Sequence, residues 1–177
     1  MKKILQELPE TYDRDGLVYT VADASIPLQE NTIIIHIVNT LGKWGKGFVL
    51  SLSKKYPNVK SDYLDWSKDE KTFELGNNQI VTVDENKKIF VVNMLAQNGI
   101  RSSYRDKSCY LDYNSLRSCL GNLTNFVLEQ RANSIELTVQ MPRIGAGLAG
   151  GDWNKVELLI LEELTCYGIK CIVCDLE

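Results

Sequence analysis

Glycine is concentrated in two short segments of the chain, residues 42–47 and 145–151. Each segment follows a strand-like apolar run and precedes a run with helical spacing. Because glycine has no Cβ and readily adopts positive φ, such turns let backbone N–H groups approach an anion closely. A helix that begins directly after the turn adds its positive N-terminal end. The two segments therefore predict a phosphate site in which one diphosphate is held from both sides.

Two better-known phosphate motifs fit these segments poorly. Gly145, Gly147 and Gly150 satisfy the pattern G-x-G-x-x-G of a Rossmann dinucleotide site. A Rossmann unit normally opens a sheet, whereas only one helix and one strand are predicted after this segment. The first segment is not a Walker A loop, because Gly47 is followed by Phe48 and not by Lys and Ser or Thr. Both a Rossmann site and an NTPase are disfavoured.

Charged and aromatic side chains in and beside the two segments could contact a ligand. Lys46 and Arg143 could neutralise phosphate charge, although Lys46 also suits a solvated loop tip. Trp44 lies between glycines, where a large aromatic ring could cover the ligand or stack on it. Asp152 precedes the last predicted helix, so it is a candidate catalytic acid or, more simply, an N-cap.

His36 is the only histidine and the only imidazole available for proton transfer near neutral pH. Strand alternation places it on the same face as Ile34 and Val38, with Asn39 on the opposite face or in the loop. A single histidine among apolar neighbours also suits a structural role. The sequence leaves both roles open.

The elements that must position these residues alternate between strands and helices. Apolar runs of strand length cover residues 17–22, 33–38, 80–83, 89–93, 135–139 and 169–174. Helical spacing covers residues 48–55, 113–129 and 153–165. A turn at residues 84–87 predicts one antiparallel hairpin, and the polar loop 98–112 could form a lid. We expect a mixed, mostly parallel sheet between helices, with ligands at its carboxyl edge.

Composition narrows the class of protein. The chain of 177 residues has a formal net charge of −3 and no apolar run long enough to span a membrane. We therefore expect a single domain over residues 1–177.

 The expected protein is a cytoplasmic monomer that needs no cofactor or metal and has no membrane partner. The net negative charge argues against a broad nucleic-acid surface, so nucleic acid is expected only as a modified substrate.

The five cysteines are odd in number and suit reduced thiols. Cys171 and Cys174 form a C-x-x-C pair, but a tetrahedral zinc site needs four ligands and there is no second pair. We expect both to be small buried residues of the last strand. Residues 1–16 are compatible with an added strand, a short helix or an arm.

Four segments, taken together and in order, resemble the macrodomain family. They are Val21-Ala-Asp-Ala-Ser-Ile-Pro, Ile35-His-Ile-Val-Asn-Thr-Leu-Gly-Lys-Trp-Gly-Lys-Gly-Phe, Val92-Asn-Met-Leu-Ala-Gln and Met141-Pro-Arg-Ile-Gly-Ala-Gly-Leu-Ala-Gly-Gly-Asp-Trp. The resemblance extends from about residue 17 to the C-terminus. It is strongest to the branch that contains the terminal ADP-ribose glycohydrolase and the yeast ADP-ribose-1″-phosphate phosphatase. It implies a three-layer α/β/α macrodomain with a mixed, mostly parallel central sheet.

The resemblance also implies roles for individual residues. Asp23 matches the acid that accepts a hydrogen bond from the adenine amine, with the backbone of Ala24 against the ring. Asn39 matches an asparagine near the distal ribose, and Gln97 could reach that ribose or position a water molecule. The implied diphosphate contacts are Gly45, Lys46 and Gly47 in the first segment and Gly145, Ala146, Gly147, Leu148, Ala149 and Gly150 in the second.

Two hypotheses about activity follow. The first is a hydrolase of ADP-ribose derivatives, either an ADP-ribose-1″-phosphate phosphatase or an enzyme that removes ADP-ribose from a macromolecule, with His36, Asn39, Gln97 and Asp152 as candidate catalytic residues. The second is a non-catalytic ADP-ribose reader. It is motivated by the resemblance, in which the glycohydrolase lysine and aspartate correspond here to Ala96 or Gln97 and to Ala149. A different nucleotide or NAD-derived metabolite in the same cleft is a third, minor hypothesis.

Overall fold

A computed structural model describes residues 16–177. The predicted strand, helix or arm over residues 1–16 therefore falls outside the described residues, apart from Gly16. No helix within residues 16–177 is both long enough and apolar enough to cross a membrane.

The described residues form one sheet of six strands. In chain order the strands are β1 (Leu17–Val21), β2 (Thr32–Asn39), β3 (Asn78–Asp84), β4 (Ile89–Gln97), β5 (Thr138–Met141) and β6 (Cys171–Asp175). Their order across the sheet is β1-β6-β5-β2-β4-β3. All neighbours are parallel except β3, which pairs antiparallel with β4. The predicted hairpin and the mixed, mostly parallel sheet are both confirmed.

Helices cover both faces of this sheet. They are α1 (Phe48–Lys55), α2 (Pro57–Trp66), α3 (Tyr113–Ala132) and α4 (Trp153–Glu163), and a 3₁₀ turn at Thr165–Tyr167 follows α4. Alternate residues of β2 point to opposite faces, as strand geometry requires. Ile33 and Ile35 join the apolar cluster that α3 and α4 cover. Ile34 and Val38 join a second cluster with α1 and α2, so the three-layer α/β/α prediction is confirmed.

Several elements differ from the sequence-based prediction. Helix α2 was not predicted; it begins with Pro57 in its first turn, directly after the extended residue Tyr56, and proline is well suited to that position. Strand β5 begins three residues later than expected, because the N–H of Ile135 donates to the carbonyl of Gln130 and so belongs to the end of α3. The last helix was predicted to reach residue 165, but α4 ends at Glu163 and gives way to the 3₁₀ turn.

The cysteines of the last strand are buried. Cys171 and Cys174 lie on β6 with almost no exposed surface, which confirms their prediction as small core residues. Burial raises the pKa of the Cys171 thiol above its usual range and raises that of Cys174 to about 12. All five cysteines are free thiols.

Candidate functional site

A cavity of about 570 Å³ opens at the carboxyl edge of the sheet. Residues at the ends of β2, β4 and β5 and in the loops that follow them line it. Ligands of open α/β sheets bind at this edge. The predicted residues in the lining are His36, Asn39, Gly45, Lys46, Gly47, Gln97, Arg143, Gly145, Gly147, Leu148 and Ala149.

The two glycine segments meet across this cavity. A Cβ built on Gly47 would lie 3.4 Å from Cδ1 of Leu148, so the tips of the two loops are in contact distance. A Cβ built on Gly45 or Gly147 would have no neighbouring atom within 4 Å, which shows that both backbones face open space. Both glycines line the cavity, so at these two positions a ligand can approach the peptide groups without meeting a Cβ.

The second loop is held in place by close contacts that only glycine permits. Gly150 has φ +75°, and a Cβ there would lie 2.6 Å from the carbonyl oxygen of Ser108. The carbonyl of Ala149 accepts hydrogen bonds from the N–H groups of Tyr110 and Leu111, at 2.7 and 3.1 Å. Loop 98–112 thus forms the support on which the second glycine loop rests.

Helix α1 directs an uncapped N-terminus into the cavity. Its N-cap residue is Gly47, which has no side chain to accept a hydrogen bond from the first turn. Phe48 and Val49 of that first turn line the cavity. The first N–H groups of a helix have no partner within the helix, so they remain available to an anion.

The N-terminus of helix α4 differs from that of α1, because the side chain of Asp152 caps it. Oδ1 of Asp152 accepts a hydrogen bond of 2.9 Å from the N–H of Asn154. The N-cap role of Asp152 is confirmed, and neither Asp152 nor Trp153 lines the cavity. The N-terminus of α1 therefore reaches the cavity, whereas that of α4, which was expected to do the same, does not.

Asn39 shapes the first loop. Its Oδ1 accepts hydrogen bonds from the N–H groups of Leu41 and Lys43, at 3.0 and 3.1 Å. Its Nδ2 donates to the carbonyl of Lys43 at 2.8 Å. The hydroxyl of Tyr63 on α2 donates to the Asn39 carbonyl at 2.6 Å. The amide of Asn39 is thus already engaged on both of its ends by the loop.

His36 is buried at the floor of the cavity, with 3% of its surface exposed. Its Nε2 contacts Oδ1 of Asn93, whose Nδ2 donates to Oε1 of Gln79 at 2.9 Å. Since that Asn93 oxygen is an acceptor, Nε2 of His36 carries the hydrogen and Nδ1 is a bare acceptor. Nδ1 has no hydrogen-bond partner among the described residues. Burial lowers the pKa of His36 to about 4, so the imidazole is neutral at pH 7.

Trp44 and Arg143 have protein partners of their own. Trp44 is buried against His36 and Tyr63, with ring centroids 5.4 and 5.5 Å away, and it does not line the cavity. Arg143 does line the cavity, but its guanidinium pairs with both carboxylate oxygens of Asp175, at 2.7 and 3.0 Å. The same guanidinium lies 5.2 Å from the ring centre of Tyr19.

Asp23 and Ala24 follow β1, outside the residues that line the cavity. Oδ1 of Asp23 accepts hydrogen bonds from the N–H and the hydroxyl of Ser25, which lower the pKa of the carboxyl. The carbonyl of Ala24 accepts a hydrogen bond of 2.8 Å from Nε2 of Gln140. Asp23 is exposed and ionised, and so it remains able to accept a further hydrogen bond.

Sequence reasoning missed the contribution of loop 98–112 to the lining. Ile100, Arg101, Ser103 and Tyr104 all face the cavity. The charged residues of the lining are Lys43, Lys46, Arg101 and Arg143, and no Asp or Glu joins them within the part of the chain that the structure describes. The chain as a whole carries a formal net charge of −3. The cavity is therefore a locally cationic surface on an acidic protein, which favours an anionic ligand.

Comparisons with known proteins agree with this geometry. No family model matches the sequence. The chain is 26% identical over 153 residues to the ADP-ribose 1″-phosphate phosphatase of Lodderomyces elongisporus, a match that covers 85% of this chain and 92% of the relative.

Two solved structures are more similar in sequence. A protein of unknown function from Bacteroides thetaiotaomicron is 39% identical, with a TM-score of 0.81 and coverage of 90% of this chain and 98% of that one. A macrodomain protein from Streptomyces coelicolor is 35% identical, with a TM-score of 0.74 and coverage of 91% and 99%.

Proposed function

The chain belongs to the macrodomain family, and we propose that it binds ADP-ribose or a derivative in the cavity of about 570 Å³ and hydrolyses the derivative. The observation that carries this proposal is the meeting of two glycine loops whose backbones at Gly45 and Gly147 face open space. The similarity to an ADP-ribose 1″-phosphate phosphatase supports the choice of ligand.

The proposed binding mode follows the order of strands across the sheet. The diphosphate lies between the loops after β2 and β5, which are neighbours at the centre. Backbone N–H groups of both loops and the uncapped start of α1 hold it, and Lys46 adds a positive charge. The adenine lies toward Asp23, after the edge strand β1. The distal ribose lies toward Gln97, at the end of β4 on the other side of β2.

The proposed reaction depends on the positions in which water and substrate are held and on the positive charge of the cavity lining. Water attacks the phosphorus of a phosphomonoester or the anomeric carbon of the distal ribose, and the bond to the leaving oxygen breaks. A proton must leave the attacking water and another must reach the leaving oxygen. Gln97 suits the positioning of the water, and we assign the proton transfer to His36, which lines the cavity but is a weak base because burial lowers its pKa to about 4.

We assign supporting roles to the two other catalytic candidates. The Asn39 amide is occupied by the first loop, so it contributes by fixing that loop. Asp152 caps α4, so it stabilises the junction between the second glycine loop and that helix.

Cys109 and Cys166 are exposed free thiols, which suits a reducing compartment such as the cytoplasm.

A non-catalytic reader is the second candidate function. It is supported by the resemblance, in which the reactive lysine and aspartate of the related glycohydrolase correspond to Ala96 or Gln97 and to Ala149; the two alanines have only apolar side chains. Ala96 is fully buried and Ala149 has 5% of its surface exposed. Neither can donate a proton or form a covalent bond to the ribose.

Two assays separate the two functions. Purified protein is incubated with ADP-ribose-1″-phosphate, and released phosphate is measured against a His36→Gln variant. ADP-ribose is titrated calorimetrically in parallel. Release that depends on His36 supports the phosphatase. Binding of ADP-ribose without turnover of any ADP-ribosylated substrate supports the reader, and no binding at all contradicts both.

A further inference from the structure

Among the described residues, Arg101 is the cavity-lining guanidinium that has no carboxylate partner. Arg117, Arg131 and Arg143 each form an ion pair with a carboxylate at 2.7–2.8 Å. Arg101 forms no ion pair within residues 16–177, and its side chain is only partly exposed. A partly buried cation without a counter-charge is costly unless a ligand supplies that charge.

The loop around Arg101 is built to hold its side chain in one place. Nε of Arg101 donates a hydrogen bond of 2.7 Å to the carbonyl of Asp106. The Asp106 carboxylate in turn accepts hydrogen bonds from Ser102, Ser108 and Tyr110. These bonds hold the pKa of the Asp106 carboxyl well below its usual range. The N–H groups on the two Nη atoms of Arg101 have no acceptor among the described residues, so they are free to bind a ligand.

The fold places Arg101 at one particular end of the cavity. It follows β4, which lies on the opposite side of β2 from β5, β6 and β1. Asp23, at the proposed adenine end, follows β1. Arg101 therefore lines the end of the cavity that receives the distal ribose and whatever group is attached to it.

We propose that Arg101 is a specificity-determining residue that binds a phosphomonoester on the distal ribose, so that the site prefers phosphorylated ADP-ribose to ADP-ribose itself. This inference rests on the proposed function. A guanidinium matches a phosphate with two parallel N–H donors, and such charge-assisted bonds are among the stronger ones in proteins. The positioned loop removes most of the entropy cost of ordering that side chain on binding.

The test is calorimetric titration with two probes, ADP-ribose and a hydrolysis-resistant ADP-ribose-1″-phosphonate. The proteins are the wild type, Arg101→Gln and Arg101→Lys. Arg105→Gln is the matched control, because Arg105 lies on the same loop outside the cavity lining. We expect the wild type to prefer the phosphonate and Arg101→Gln to lose about tenfold in phosphonate affinity, with ADP-ribose affinity changed less than about twofold. Arg101→Lys keeps the positive charge but loses the paired N–H donors of the guanidinium. Its phosphonate affinity should therefore lie between those of the wild type and Arg101→Gln.

The outcomes distinguish this inference from the function on which it rests. If the wild type binds ADP-ribose but Arg101→Gln affects neither probe, or weakens both by the same factor, the specificity role is wrong and the proposed function stands. If the wild type binds neither probe, both fail. An equal loss in Arg105→Gln would also contradict a role specific to Arg101.

Discussion

Gly150 and Gly147 lie in the same loop but meet different surroundings. Gly150 has φ +75°, and a Cβ there would collide with the Ser108 carbonyl. Gly147 faces open space. The backbone conformation and the close contact require glycine at position 150. At position 147 we propose that glycine is present because a ligand approaches the backbone there.

Gly150→Ala should therefore destabilise the fold, whereas Gly147→Ala should not. We expect a loss of about 2 kcal/mol for Gly150→Ala, from the left-handed backbone and the displaced contact. Gly147→Ala should stay within about 0.5 kcal/mol of the wild type. Urea denaturation measures both. Equal stabilities for the two variants would show that the loop is not held as described.

The pKa of His36 makes stability depend on pH. The pKa is about 4 in the folded protein and 6.5 in an unfolded chain. Because the folded pKa is lowered, the neutral imidazole contributes fully to the free energy of unfolding above pH 6.5. This contribution is lost as the pH falls toward 4. The difference corresponds to about 3 kcal/mol. In His36→Gln the fall in stability between pH 7 and pH 4.5 should be smaller by about 2 kcal/mol. The same pH dependence in both proteins would contradict a buried neutral imidazole.

At the scale of the elements, the site depends on the loop after β2. Asn39 bonds to Leu41 and Lys43, and Tyr63 of α2 holds the Asn39 carbonyl. The first glycine loop is thus fastened to a helix on the neighbouring layer.

Asn39→Ala should loosen this loop, so that both the stability of the fold and the affinity for the ligand fall. The substitution leaves two N–H groups and one carbonyl of the loop without their partner, at a cost of about 1–2 kcal/mol in stability. We expect a loss of about tenfold in ADP-ribose affinity, because the loop must then be ordered on binding. Asn122→Ala is the control, since it removes one side-chain bond to the Gly76 carbonyl far from the cavity. Equal affinity losses in the two variants would contradict the account.

The sequence predicted the elements that have strong periodicity and the turns that glycine marks. Residues 48–55 form α1 as expected, and both glycine loops lie at the carboxyl edge of the sheet. Helix α2 was missed because its apolar residues are few and widely spaced, although Pro57 marks its start. Arg101 was missed because its place depends on hydrogen bonds made by Asp106, which spacing along the chain does not reveal.

At the scale of the whole molecule, the charge of the cavity is opposite to that of the chain. Within residues 16–177, four cations line the cavity, and the chain carries a formal net charge of −3. Composition alone argues for no particular anionic ligand, and only the fold brings these cations together. Because helices cover both faces of the sheet, the loops after β2, β4 and β5 converge at its carboxyl edge.

The central claim is that ADP-ribose lies between the two glycine loops, and one calorimetric titration of ADP-ribose tests it most directly. The proteins are the wild type and Gly147→Val, whose side chain would enter the open space between the loops. We predict one binding site in the wild type and a loss of at least about tenfold in Gly147→Val, with thermal stability retained. No binding by the wild type at millimolar ADP-ribose, or equal binding by both proteins, would contradict the claim.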